Sequence, residues 1–311
     1  MTLEQLRIFV AVADREHMTR AAEALHLTQS AVSGAIQALE ARHSVSLFAR
    51  VGRRIELTPD GRMFLDQARM ALRSAEAAER SLLELRDLKR GVIDIHASQT
   101  TGAYWLPARL ARFHAAYPGI EINLSLGNTD QVATAVRTGV AEIGFVEGLI
   151  DEPDLLLEQV DLDQLLTVVG TSHPWSRLRQ LKPHHVTEGA WILRERGSGT
   201  RAVFEEALAK LGIQSRQVNV SLELPSNEAI CAAVEAGAGA TAISRVVVRA
   251  ALRLKTLRSI RFVPLQRPFI LVTHRDRKAS RAVRALLEMI KTNRTRPPRH
   301  DNDRSGIFNE G

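Results

Sequence analysis

The chain has 311 residues, 45% hydrophobic and 25% charged, which exceeds one typical domain and supplies a sizeable buried core. A net charge of +7 with a pI near 10.1 points to a polyanionic partner, while no apolar run reaches the roughly 18 residues of a membrane span. MTLEQLRIFV lacks the features of an export signal, so a cytoplasmic protein without membrane partners is expected, and the lone Cys231 excludes an internal disulfide and a cysteine-cluster metal site.

Leu3, Leu6, Ile8, Phe9, Val12 and Ala13 predict an amphipathic first helix. The stretch Arg20 to Ser33 then reads as two short helices joined by a tight turn. Ala21, Ala22 and Leu25 form one apolar face, Leu27 fills the turn, Thr28 is an N-cap, and Ala31, Val32, Ala35, Ile36 and Leu39 recur at helical spacing. That pattern is a helix-turn-helix. Its polar face carries Thr28, Gln29, Ser30, Ser33 and Gln37, side chains able to bond base edges in the major groove.

Ser46 to Arg50 and Ile55 to Thr58 read as two short strands around a basic turn, a wing whose Arg50, Arg53 and Arg54 are placed to meet phosphates or a narrow minor groove. From Pro59 to about Leu88 one long helix is expected. Its stripe of Leu65, Ala68, Leu72, Ala75 and Leu82 calls for a helix from a second subunit, with packing against the chain's own next domain as the alternative. A homodimer would supply the two-fold symmetry that paired half-sites require.

Beyond Gly91 strands and helices alternate. Val92 to His96, Ile120 to Leu126 and Ile143 to Val146 read as strands, with helices at Tyr104 to Ala116 and Gln131 to Thr138. A second set holds strands at Leu165 to Val169, Trp191 to Leu193, Val218 to Leu222 and Ala240 to Ser244, with helices at Arg201 to Lys210 and Ser226 to Glu235. Phe269 to Val272 and a helix from Ser280 to Met289 return to the first set. The expected architecture is thus a winged helix-turn-helix over residues 1–58, a linker helix over 59–90, and a two-lobed α/β domain over 91–291. Lobe I takes about 91–161 and 268–291, lobe II about 162–267, the sheet is mostly parallel, and the polar tail 292–311 is disordered.

The first 60 or so residues resemble the LysR-type transcriptional regulators, with Leu6, Phe9, Ala21, Ala22, Leu27, Gln29, Ser30, Val32, Ser33, Ile36, Leu39, Glu40, Leu47, Phe48, Arg50, Leu57, Thr58 and Gly61 at family positions. The likeness extends along nearly the whole chain, failing only in the tail. It implies a winged helix-turn-helix, a dimerising linker helix and an effector domain similar to periplasmic binding proteins, assembled as a homotetramer on promoter DNA, with RNA polymerase a candidate partner. Most members carry a long basic side chain and then Gln where this chain has Gly34 and Ala35, a departure that leaves more of the recognition to Gln29, Ser30, Ser33 and Gln37.

In open α/β sheets ligands sit beyond the carboxyl ends of strands. There this sequence places Ser98, Gln99, Thr100 and Thr101, then Asn128, then Glu147 in one lobe, and Arg196, Ser198, Thr200 and Asn227 in the other. Two helix N-termini facing across the cleft favour an anion, and Arg196 or Arg201 would tighten it. The expected effector is a small oxyanion or carboxylate. Glu147 opposes a fully charged anion unless it pairs with Arg196, so hydrogen sulfite or an amino acid with its own ammonium suits it better. The plainer reading of Gly197 to Thr200 is a turn with an N-cap.

Gly237 to Thr241 follows a helix and enters a strand, the reverse of a nucleotide-binding loop, and His184 and His185 lack metal-ligand spacing. No hydrolase elbow, metalloprotease pair or Walker loop is present, so the sequence supports neither catalysis nor a cofactor. A winged-helix-bearing enzyme such as a bifunctional biotin ligase lacks its nucleotide loop here. A solute-binding transport component is disfavoured by the first 60 residues. A sequence-tolerant architectural DNA protein fits the charge and the wing and stays open.

Overall fold

A computed structural model describes residues 1–51, 54–84, 91–148 and 150–292. The first domain packs three helices, α1 (Leu3–Arg15), α2 (Met18–Ala24) and α3 (Gln29–His43), against a hairpin of β1 (Phe48–Val51) and β2 (Arg54–Leu57). Thr2 and Gln5 form a capping box that starts α1, and the Thr28 hydroxyl accepts from the Ala31 N–H to start α3. Phe9 is fully buried between the rings of Phe48 and Phe64, joining α1 to the hairpin and to the long helix α4 (Pro59–Glu84).

Glu40 fixes where the wing leaves the helices. Its Oε1 accepts from the N–H of Leu47 at 2.7 Å and of Phe48 at 3.1 Å. Charge-assisted bonds to backbone donors are worth about 1.5–3 kcal/mol, so Glu40→Ala is expected to destabilise the first domain by that order, with Glu40→Gln recovering part of it in urea denaturation. Equal stability of all three proteins would mean that the wing is anchored by its apolar contacts alone.

Part of the stripe on α4 meets the chain's own first domain. Leu65, Ala68 and Leu72 join the core of the chain's own first domain, with Ala68 fully buried. Paired with α1, the small domain therefore buries more of α4 than spacing alone suggested. The Leu82 side chain and residues 85–90 lie outside the described residues, as do Arg53 and the tail from 293.

The rest of the chain builds one curled eight-stranded sheet, in the order β4 (Ile120–Gly127), β3 (Gly91–Ser98), β5 (Ile143–Glu147), β10 (Leu257–His274), β6 (Leu155–Gly170), β9 (Ala240–Ser244), β7 (Ala190–Arg194), β8 (Asn219–Leu224). Pairing is parallel toward both edges and antiparallel at β5/β10, β10/β6 and β6/β9, so the mostly parallel sheet expected from sequence is corrected to a mixed one. The sequence showed only fragments of β6 and β10. Charged residues and Pro264 and Pro268 mask β10, which absorbs Pro264 at a register shift between Ile260 and Leu265.

These two strands, of 16 and 18 residues, run through both lobes. Around the β3 end pack a π-helical turn (Thr101–Trp105), α5 (Pro107–Ala116), α6 (Thr129–Thr138) and α11 (Arg281–Thr292); around the β7 end pack α7 (Pro183–Glu188), α8 (Gly199–Lys210), α9 (Asn227–Glu235) and α10 (Arg245–Leu254). Helices α7 and α10 were not read from the sequence, and the expected helix from Tyr104 begins instead as the π turn.

Candidate functional site: a reading helix and an interlobe cleft

Val32, Ile36 and Leu39 bury the inner face of α3, which turns the opposite face outward. Thr28, Gln29, Ser30 and Gln37 are exposed there and Ser33 half-buried, with Arg50 and Arg54 exposed on the wing. The Thr28 hydroxyl shares a hydrogen bond with Ser30 at 3.1 Å. Ser30, Ser33 and Gln37 recur at helical spacing along α3, and Arg53 lies outside the described residues.

In the cleft the residue at the centre is one that sequence reasoning missed. Arg267 on β10 is 1% exposed and stands directly opposite Asp163 on β6 in the antiparallel register. Its Nε donates to Asp163 Oδ2 at 2.8 Å, Nη1 donates to Thr200 Oγ1 at 2.9 Å, and Nη2 lies 3.4 Å from Thr100 Oγ1 and 3.6 Å from Glu147 Oε1. Asp163 is held from its other side by the Ser244 hydroxyl at 2.7 Å. One guanidinium thus touches hydroxyls of both lobes, and two buried carboxylates balance it.

A second buried arginine was also missed. Arg194, at the end of β7, makes a two-pronged contact with Glu195 and donates from Nη1 to Asn227 Oδ1 at 3.1 Å, while Asn227 Nδ2 reaches Thr100 Oγ1 across the cleft at 3.3 Å. Further bonds close the lobes on each other: Gly199 N–H to Thr129 Oγ1 at 3.2 Å, and the Tyr104 hydroxyl to Glu228 at 2.9 Å. A Cβ on Gly199 would stand 2.0 Å from the Glu147 carbonyl oxygen, so only glycine lets the start of α8 meet the end of β5.

Of the residues expected at the cleft, Thr100, Glu147, Thr200 and Asn227 are buried against the two arginines, and Ser198 is buried at the start of α8. Others are committed locally. Ser98 shares a hydrogen bond with Thr101 at 2.8 Å, Thr101 Oγ1 donates to the Phe145 carbonyl, and Asn128 forms a capping box with Gln131 at the start of α6. Gln99 is half-buried beside them. Arg196 is exposed on the wall of a groove of about 1190 Å³ that runs along α8, and the side chain beside Glu147 is Arg267 instead. Arg201 is bound to Glu205, Glu223 and the Arg194 carbonyl, so it is not free for an anion.

Cys231 is half-buried in α9, and burial first, then Glu235 and Glu228, push its thiol up to about 11. Iodoacetamide at about pH 8 is therefore expected to label it more slowly than in the unfolded chain. His184 and His185 stack on each other in α7, and among the described residues no group of three His, Cys, Asp or Glu could hold a metal.

Comparison with known proteins agrees with this architecture. Residues 3–62 match the bacterial regulatory helix-turn-helix protein, lysR family, and residues 86–294 match the LysR substrate binding domain. The HTH-type transcriptional regulator YeiE of Escherichia coli is 35% identical over 291 residues, covering 93% of this chain and 96% of its own. A probable RuBisCO transcriptional regulator of Cyanophora paradoxa is 32% identical, covering 94% and 91%. Among solved structures, full-length CbnR complexed with its target DNA superposes with a TM-score of 0.70 at 24% identity over 94% of this chain and 99% of its own. The Synechocystis PCC6803 CcmR regulatory domain in complex with 2-PG gives 0.60 at 24% identity over 65% and 96%. The chain belongs to the LysR family and is a DNA-binding transcriptional regulator with an effector-binding domain, not an enzyme.

Proposed function

We propose that this regulator reads a specific promoter sequence with α3 and the wing, and that a small anionic effector in the interlobe cleft sets its activity. The observation that carries the effector reading is Arg267, fully buried and hydrogen-bonded to Thr200 in one lobe and within reach of Thr100 in the other. A ligand exchanging with those hydroxyls reports to both lobes at once. The 2-PG complex of CcmR supports a small anion as the class.

Because Asp163 and Glu147 already flank Arg267, the cleft suits a singly charged anion that also brings a proton donor to Glu147. Hydrogen sulfite meets that description, and the carboxylate and ammonium of an amino acid supply the same anionic group and proton donor. Ligand binding regulates only if it differs in free energy between DNA-bound geometries, which a homodimer joined through α4, doubled into a tetramer, would provide.

Thermal shifts of the full chain against sulfite, sulfate, thiosulfate, phosphate, small carboxylates and amino acids test this. A ligand at about 100 times its Kd adds roughly 2.7 kcal/mol to the domain it binds. One anion is expected to stabilise the native protein and fail with Thr100→Val and Ser198→Ala; Arg196→Ala, at the groove wall, is expected to keep the response. No shift across the panel would sink the anion reading. A steep salt dependence of DNA binding without sequence preference would favour the architectural alternative.

A further inference from the structure

A second cavity lies where α4 meets the effector domain, at the opposite end of β3 and α6 from the interlobe cleft. Its volume is about 530 Å³, and sites for small molecules run to about 300–1,000 Å³. Its walls are α4, the start of β3, and the segment that leads from the end of β10 into α11. Among the described residues five cations line it, Arg73, Arg277, Lys278, Arg281 and Arg284, against two acids, Asp94 and Glu142.

Both acids are already engaged. Asp94 accepts from Asn123 Nδ2 at 3.1 Å, and Glu142 Oε1 accepts from the Ser280 N–H at 2.6 Å. Two of the arginines are gathered by the last turn of α6: Arg277 donates to the carbonyls of Val136 at 2.9 Å and Arg137 at 3.0 Å, and Arg73 Nε donates to that of Thr138 at 2.8 Å. A helix C-terminus carries only about half a negative charge, so it positions these two guanidinium groups without neutralising them. Burial, then Arg69 and Arg277, hold Arg73 below its ordinary value against the pull of Glu76 and Asp66, and burial lowers Arg277 as well. Lys278 and Arg284 are exposed at the rim and have no hydrogen-bond or ion-pair partner among the described residues.

We propose that this cavity is a second anion site, separate from the interlobe cleft, that takes a small organic phosphate. A tetrahedral dianion accepts hydrogen bonds from several directions and matches the fork of an arginine, while Met70, Val92 and Ala279 offer an apolar wall to the rest of the molecule. Bound between Arg73 and Arg284, the phosphate ties the helix that leaves the DNA-binding domain to the effector domain.

Isothermal titration of the full-length protein with phenyl phosphate at fixed ionic strength tests the site. Wild type is expected to bind it, and inorganic phosphate several-fold more weakly for want of a body against the apolar wall. The double variant Lys278→Ser/Arg284→Ser, at two exposed positions, is expected to lose about tenfold for each charge-assisted bond removed. Arg245→Ser/Arg249→Ser, which removes the same charge from the exposed face of α10, is expected to bind as wild type does. Hydrogen exchange should slow with phenyl phosphate at the amides of residues 70–74 and 280–284 and not at the start of α8. No binding by wild type, undiminished binding by the Lys278/Arg284 variant, or slowing confined to the cleft would overturn the proposal. Equal losses in the two double variants would also overturn it, reducing the effect to general attraction between charges.

Discussion

Replacing Arg267 by Met is expected to cost the C-terminal domain about 3–5 kcal/mol and to abolish its effector response, because it strands two buried carboxylates. Asp163 and Glu147 are both almost fully buried, and each faces the Arg267 guanidinium. Ser244 can satisfy only one oxygen of Asp163, and Thr100 and Thr200 lose a shared donor in the same step. Breaking such a pair from one side is far more damaging than its net worth when intact, since the remaining charge has no water to turn to. Arg267→Lys keeps the charge without the planar fork, and is expected to recover part of the stability while leaving Thr100 or Thr200 unbonded. Urea denaturation followed by tryptophan fluorescence reads both variants, Trp105 and Trp191 being buried one in each lobe. A midpoint unchanged in Arg267→Met would show that the two acids find other partners, and would remove Arg267 from the centre of the cleft.

Gly199→Ala is expected to hold the lobes apart without unfolding either of them. The clash is with backbone on one side, the Glu147 carbonyl oxygen at 2.0 Å, and with Thr129 Oγ1 at 2.8 Å on the other. A strand end cannot swing aside as a flexible side chain can, so the start of α8 must retreat, at a cost of about 1–3 kcal/mol to the closed arrangement. The Gly199 N–H to Thr129 bond breaks with it. Effector affinity should fall by about 5- to 150-fold while the urea midpoint changes little, because the penalty falls on closure. Isothermal titration with whichever anion stabilises the wild type decides it. Unchanged affinity would mean that the bound state does not need the α8 to β5 contact.

The first domain was legible because its signals are local. Thr28 caps the helix it precedes, Val32, Ile36 and Leu39 repeat within a few residues, and the wing needs only the register of Phe48 against Leu57. The small polar residues at the cleft were legible for a related reason, since each follows a strand directly. The charged centre was not. Arg267 and Asp163 are 104 residues apart, and only the antiparallel register of β10 on β6 makes them neighbours. Two charged residues inside strand-like segments, Asp163 among leucines and Arg267 beside Pro268, were the trace available in the sequence. Arg196 attracted the anion role because it sits in the Gly-Ser-Gly loop. That loop turns through Gly197 at a φ of +83° and leaves Arg196 outside, while Arg194, the last residue of β7, stays within.

The passage of β6 and β10 through both lobes also bears on the order in which the molecule is made. The lobe built around β3 takes its last strand segment and helix from the far end of the chain, and the sheet stays divided until His274 closes the pairing with Leu155. The winged domain, by contrast, needs nothing beyond α4 to bury its core. Pairings so distant in sequence form slowly, and chains emerging from the ribosome fold their N-terminal units first. A nascent chain is therefore expected to carry a finished DNA reader while its sensor is still incomplete, leaving a window in synthesis when the reader answers to no effector.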